Sequence, residues 1–228
     1  VMGVALDLVR GPDLRQVSQR LAGDVAGVLR QAVNERGRAA LAVPGGTTPR
    51  AFLTRLGQHD LPWQAITVVP TDERDVLPDD PRSNERMIRD CLPLEPGSFV
   101  PLRAAAGSLD ETAAALAKRI IALGRLDAVV VGMGADAHIA SLFPGDRWLE
   151  PARREAAPAV LAAHPANLEP RLSLGPLPLA RARWTALLIS GQDKLAALNR
   201  ALGSADPVTA PVRLLFENGV PPRVYFAE

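Results

Sequence analysis

A doubly wound α/β fold, with a largely parallel sheet covered by helices on both faces, is the architecture this chain predicts. Three features carry that expectation. Short apolar runs of strand length alternate with longer stretches whose apolar residues recur at three- and four-residue steps. Strands alternating with helices in this way favour a parallel sheet buried on both sides. The polar clusters of the sequence then fall just after the strand runs, where such sheets place their ligands.

The first helix should follow Gly11-Pro12-Asp13, because Leu14, Val17, Leu21, Val25, Val28, Leu29 and Val33 form one apolar stripe that Gly37 ends. Ala39–Val43 reads as a buried strand broken by Pro44-Gly45-Gly46. A second helix should open with Thr48 as N-cap and Pro49 at its first position. Ile66–Val69 is the next strand, Thr71–Arg74 the loop after it, and Ser83-Asn84 the start of a helix through Met87, Ile88 and Cys91. A helix is expected over Leu109–Leu123 and a strand over Asp127–Val131. Glu150–Pro170, rich in alanine and proline, reads as an irregular loop region. Trp184–Ile189 is a strand, Gly191–Leu202 a helix, and Pro211–Phe216 and Val224–Phe226 look like closing strands. With no internal repeat and no low-complexity linker, residues 1–228 read as one domain, with room for a small added subdomain.

Composition narrows the function. Aromatic residues make up only 4%, so the core must rest on Ala, Leu and Val. Basic and acidic residues nearly balance, 26 against 25, and the arginines are scattered, which argues against a nucleic-acid partner. The one cysteine, Cys91, cannot form an internal disulfide and reads as a core residue of a reducing compartment. Val1-Met2-Gly3-Val4 lacks the basic-then-apolar pattern of a signal peptide, and no run approaches roughly 18 apolar residues. A cytoplasmic protein with no membrane partner is expected.

Three clusters carry chemistry. Gly45-Gly46-Thr47-Thr48 is a glycine turn entering a helix N-terminus, where free N–H groups and the helix dipole favour an anion or hydroxyl. It lacks the Gly-Lys-Ser/Thr of a nucleotide loop. Asp72-Glu73-Arg74-Asp75 sets carboxylates and a guanidinium at a strand end, where arginine suits forked contacts with phosphate. Gly132-Met133-Gly134-Ala135-Asp136-Ala137-His138 follows the strongest strand. It matches a relaxed dinucleotide fingerprint formally, but Pro144 cuts the helix that motif requires, so no dinucleotide cofactor is expected. His138 lies in a polar loop rather than on an apolar face, which marks it as a proton-transfer candidate. Asp136 either caps a short helix through Ile139 or orients the imidazole. Ser141 lacks a nucleophile-elbow context and reads as a local hydrogen-bonding residue. His59, His138 and His164 are far apart and no paired-ligand spacing occurs, so no metal is expected.

Taken in order, these blocks together with Ser83-Asn84, Ile139-Ala140-Ser141-Leu142-Phe143-Pro144-Gly145, Arg171-Leu172-Ser173-Leu174 and Gly191-Gln192-Asp193-Lys194 resemble the 6-phosphogluconolactonase family over nearly the whole chain. The resemblance implies a sugar-phosphate isomerase-like fold shared with glucosamine-6-phosphate deaminases. It also implies hydrolysis of 6-phosphoglucono-δ-lactone to 6-phosphogluconate in the oxidative pentose phosphate pathway, without cofactor. By that similarity His138 is the catalytic histidine, with Asp136 and Asp72 as its acidic companions. Gly45, Gly46, Thr47, Thr48, Ser83 and Asn84 line the sugar-phosphate pocket, and Arg74, Arg171 and Lys194 surround the phosphate. The protein would be a monomer or a small homo-oligomer.

Two departures from the family pattern stand out. Ala137 occupies the place of the usual glycine in Asp-Gly-His, and glycine there suits a backbone angle that alanine disfavours. His164-Pro165-Ala166-Asn167 stands for a Lys-Pro stretch, with Ser173 in place of a threonine. Two alternatives follow: an amino-sugar-phosphate deaminase or isomerase, which would carry Asn-Glu-Pro-Gly where this chain has Leu142-Phe143-Pro144-Gly145, and a weakly catalytic sugar-phosphate-binding protein.

Overall fold

The computed structural model describes residues 6–103, 107–166, 168–203, 206–217 and 220–228. Val1-Met2-Gly3-Val4 and Asn167 lie outside them. The elements run β1 (Asp7–Gly11), α1 (Leu14–Arg36), β2 (Ala39–Val43), α2 (Arg50–Gly57), β3 (Ile66–Pro70), β4 (Asp72–Arg74), α3 (Asn84–Cys91), α4 (Leu109–Leu123) and β5 (Ala128–Val131). Then come α5 (Pro151–Arg154), β6 (Val160–Ala163), β7 (Arg171–Leu174), α6 (Pro176–Ala180), β8 (Trp184–Ser190), α7 (Gln192–Gly203) and β9 (Arg223–Ala227).

Six strands form a sheet in the order β1-β9-β8-β5-β2-β3, every pairing parallel. The other three, β4-β7-β6, form a small antiparallel sheet. The large sheet separates two apolar cores, and its strands feed them alternately. Ala40, Ala42, Val129 and Val131 enter one core, and Leu41, Val43, Ala128 and Val130 the other. That period-two division explains why these strands are apolar at every position. On one side α1, α2 and α3 cover the sheet, and on the other α4, α6 and α7.

The helix ends follow local rules. Asp13 caps α1 by accepting from the Gln16 N–H at 2.8 Å, and Gly37 ends it at φ 73, its N–H donating to the Val33 carbonyl. Ser108 and Glu111 form a reciprocal capping box on α4. Among the described residues no helix is long and apolar enough to cross a membrane.

Several elements differ from the sequence expectation. β1 is an unexpected edge strand that, among the described residues, pairs with β9 alone. Asp72–Arg74, expected as loop, is the strand β4. The region expected to be irregular over Glu150–Pro170 contains α5 and β6. Pro211–Phe216 is a 3₁₀ helix rather than a strand, since proline at its start suits a helical first turn. Cys91 is only partly buried, at the margin of a core.

Candidate active site

A cleft of about 250 Å³ opens beyond the carboxyl ends of β2, β5 and β8. The small sheet forms one wall of it, through Asp72 and Arg74 of β4 and Arg171 of β7. The cleft therefore lies on a seam between two sheets.

The glycine turn after β2 forms its floor. Gly46 has φ 93, a conformation that favours glycine. Gly45 is needed for a different reason: a Cβ there would lie 1.7 Å from Asn84 Oδ1. The helix begins later than the sequence suggests. Pro49 occupies the cap position with helical angles and no side-chain cap, and α2 starts at Arg50, whose N–H donates to the Thr47 carbonyl at 3.3 Å. Thr48 is thus not the N-cap, and both threonines line the cleft.

In β4 the side chains alternate. Asp72 and Arg74 line the cleft, while Glu73 is buried behind them. The Glu73 carboxylate accepts from the N–H groups of Arg74, Asn84 and Glu85 at 2.7–2.8 Å and from Ser83 Oγ at 3.0 Å. Burial pushes its titration upward, against the opposing pull of those four donors. Glu73 therefore ties β4 to α3. Ser83, grouped with the pocket by sequence, is the buried N-cap of α3 instead and does not line the cleft. Asn84 does line it, donating to the Asp72 carbonyl at 2.7 Å and accepting from Arg74 at 3.1 Å. Arg171 stands opposite Arg74 across the β4–β7 pairing and lies 3.8 Å from Asp72.

The loop after β5 carries the imidazole. One oxygen of Asp136 accepts from the His138 backbone N–H at 3.2 Å and meets ring Nδ1 at 2.6 Å. No helix forms between Asp136 and Ile139, so Asp136 orients the ring rather than capping a helix. Partial burial raises the Asp136 titration, but the two bonds from His138 outweigh it and the net shift is downward. An ionised carboxylate only accepts, so it places a proton on Nδ1 and leaves the lone pair of a neutral ring on Nε2. Asp136 itself lies outside the cleft that His138 lines.

Three further residues shape this loop. A Cβ on Gly134 would lie 2.1 Å from His138 Nδ1 and 2.5 Å from Asp136 Oδ1, so only glycine leaves room for the ring. Ala137 holds φ 66, keeping the left-handed conformation that the alanine-for-glycine departure brought into question. Its carbonyl accepts from the Val212 N–H at 3.0 Å, and its buried methyl joins a core. The left-handed angle costs about 1 kcal/mol, and burying one methyl recovers about 0.8 kcal/mol. Ser141 donates from Oγ to Asp72 at 2.7 Å and from its N–H to Ser173 Oγ at 3.1 Å. Its partners are 69 and 32 residues away, so its role is not local: it joins the His138 loop to both β4 and β7.

Lys194 reaches the cleft from the first turn of α7, just beyond Gly191 at φ 87. It has no salt bridge among the described residues. The cleft thus gathers Gly45, Gly46, Thr47, Thr48, Asp72, Arg74, Asn84, His138, Arg171 and Lys194. Sequence reasoning did not single out Thr71, Ala140 and Ser190, which also line it. Their signal is position alone, beside residues already chosen. No group of three or more His, Cys, Asp or Glu side chains that could hold a metal occurs among the described residues.

Comparison with known proteins finds relatives over nearly the whole chain. The chain is 39% identical to a 6-phosphogluconolactonase of Rhizobium meliloti (strain 1021), covering 92% of this chain and 94% of that one. It is 38% identical to a 6-phosphogluconolactonase of Pseudomonas aeruginosa over 93% and 88% of the two chains. The crystal structure of a 6-phosphogluconolactonase from Shewanella baltica OS155 superposes with a TM-score of 0.90 at 28% identity, over 100% of both chains. A monomeric glucosamine-6-phosphate deaminase shares the fold, with a TM-score of 0.82 at 20% identity over 97% of each chain. With residues 12–221 matching its model, the chain belongs to the glucosamine-6-phosphate isomerase/6-phosphogluconolactonase family.

Proposed function

We propose that the protein hydrolyses 6-phosphoglucono-δ-lactone to 6-phosphogluconate, in the cytoplasm and as a step of the oxidative pentose phosphate pathway, with residues 1–228 acting as one lactonase unit. The observation that carries the reading is one cleft holding an imidazole fixed by a carboxylate together with three cationic side chains, Arg74, Arg171 and Lys194. The names of the curated relatives support the same reaction.

The phosphate is taken by the cations, and the lactone carbonyl lies toward His138. Arg74 and Arg171 are cross-strand neighbours. Like charges so placed repel, and a dianionic phosphate between them offsets that cost. Water attacks the carbonyl carbon as Nε2 of His138 takes its proton. The ring C–O bond then breaks, and the same proton passes to the departing ring oxygen. Atoms and charge balance as lactone plus water to hydroxy acid, with no covalent enzyme intermediate. General base catalysis of this type is worth about 10²–10⁴-fold, and anchoring the distant phosphate supplies orientation.

A lactone-decay assay, corrected for spontaneous opening, tests the proposal. His138→Ala should lower kcat by roughly 10²–10⁴-fold with KM little changed, and the lactone without its 6-phosphate should be turned over poorly. Near-full turnover by His138→Ala would remove the mechanism. Ammonia release from glucosamine 6-phosphate would favour the deaminase alternative, against which the apolar Leu142-Phe143 pair argues.

A further inference from the structure

Phe143 is a large aromatic residue that belongs to neither apolar core. Leu142 before it is fully buried, whereas Phe143 is only partly so. Its ring meets the His138 imidazole, with centroids 4.7 Å apart and planes inclined at 40°. That distance is within the range over which aromatic rings attract.

The contact fills a gap in the support of the imidazole. Asp136 holds the ring at one atom, Nδ1, at 2.6 Å. A histidine χ2 torsion has broad wells, so one bond leaves the plane free to swing. Gly134 adds a wall: the space where its Cβ would sit is already filled by Nδ1 and Cε1, 2.1 and 2.2 Å from that point. Phe143 supplies an aromatic contact in addition to these two.

There is also a charge argument. When His138 takes the proton of water it becomes an imidazolium. The charged groups sharing its surroundings are Asp136 on its own loop, Asp72, Arg74 and Arg171 on the small sheet, and Lys194 on α7. Three of these are cations and disfavour a further positive charge. An aromatic face attracts a cation more than a neutral ring. The Phe143 contact therefore strengthens as the reaction proceeds, which is the property that raises turnover rather than binding.

We infer that Phe143 is a positioning residue for His138, holding the plane of the imidazole and favouring its protonated form during water attack. This inference rests on the lactonase reading. The test compares wild type, Phe143→Leu, Phe143→Tyr and His138→Ala in the lactone assay, alongside NMR of the His138 ring C–H resonances. Phe143→Leu should lower kcat roughly tenfold while KM stays within about twofold, and Phe143→Tyr should keep wild-type kcat. The His138 resonances should move in the leucine variant, which loses the aromatic ring current, and stay in place in the tyrosine variant. Should Phe143→Leu fail to fold, Phe143→Met restores apolar bulk without a π face and takes its place.

Unmoved resonances with unchanged kcat would overturn the inference, and so would equal losses in the leucine and tyrosine variants or a change confined to KM. A wild-type rate no faster than spontaneous lactone opening would instead overturn the lactonase reading. In that case the NMR comparison still decides whether the two rings touch.

Discussion

Arg74 and Arg171 face one another across the antiparallel pairing of β4 with β7, and both line the same cleft. Their guanidiniums are only partly compensated. Arg171 has Asp72 at 3.8 Å and Glu169 at 4.0 Å, and Arg74 donates to the Arg82 carbonyl and to Asn84. The Nε atoms of both arginines are buried with no hydrogen-bond partner among the described residues. On the proposed function this pair takes the phosphate of the substrate. Replacing either by methionine should raise KM for the phosphorylated lactone by roughly 10- to 100-fold, the effect of losing a charge-assisted bond, with kcat much less affected. Inorganic phosphate should raise the melting temperature of wild type and should do so far less in either variant. Equal protection by phosphate in all three would remove the arginines from the anion site.

Gly134→Ala tests the imidazole seat while leaving both His138 and Asp136 in the sequence. The added methyl meets Nδ1 and Cε1 of His138 at 2.1 and 2.2 Å, so the ring must move. Gly134 is not among the glycines at positive φ, so the backbone tolerates alanine and the variant should fold. Displacement of about 1 Å in a catalytic group costs on the order of 10²-fold in rate. Steady-state kinetics should show that loss in kcat with KM nearly unchanged.

Ala137 offers a stability prediction with two arms. Ala137→Gly removes the strain of φ 66 but also the buried methyl and chain stiffness, so it should change stability by less than about 1 kcal/mol. Ala137→Val places a β-branched residue where such residues are outliers, and should cost more than about 2 kcal/mol. Urea denaturation of the three proteins measures both. Equal stability of the valine variant and wild type would contradict the left-handed geometry.

Asp136 predicts an acid dependence. Its carboxyl titrates below the ordinary carboxylate range in the folded chain, because burial is outweighed by the two bonds from His138. In the window between the folded and unfolded values the unfolded chain therefore holds more protons. Stability contributed by this group is present above the unfolded value of about 3.9 and is lost as pH falls through the lower folded value. The gap in melting temperature between wild type and Asp136→Asn should accordingly shrink as pH falls below about 4. A gap that widens in acid would reverse the sign.

How far the molecule can be read from its sequence depends on the kind of signal each segment carries. The long α1 is legible because one apolar stripe, a capping aspartate and a terminal glycine agree. β2 and β5 are legible as unbroken apolar runs, since two cores demand it. β4 is not, because Asp72-Glu73-Arg74 has strand geometry only through its pairing with β7. β1, half exposed at the sheet edge, has too few buried positions to show a pattern. Val212, Leu214 and Leu215 give Pro211–Phe216 a strand-like composition, yet proline at its start suits a helical first turn and the segment folds as a 3₁₀ helix. In the cleft, residues next to a strand end are readable, but the partners of Ser141 lie 69 and 32 positions away, and no spacing rule reveals them. Ser83 misleads for the converse reason: a hydroxyl beside a pocket residue is equally suited to capping a helix.

The double attachment of Ser141 has a metrical consequence. Arg74 and Arg171 ride on one sheet and His138 follows a strand of the other, so the gap between them is a fixed gauge, set by how the two layers are stitched at this serine. A molecule anchored by its anionic end must have the correct reach to present a carbonyl at the far side. Ser141→Ala loosens the stitch, and the first thing it should erode is discrimination between six-carbon and shorter phosphorylated lactones.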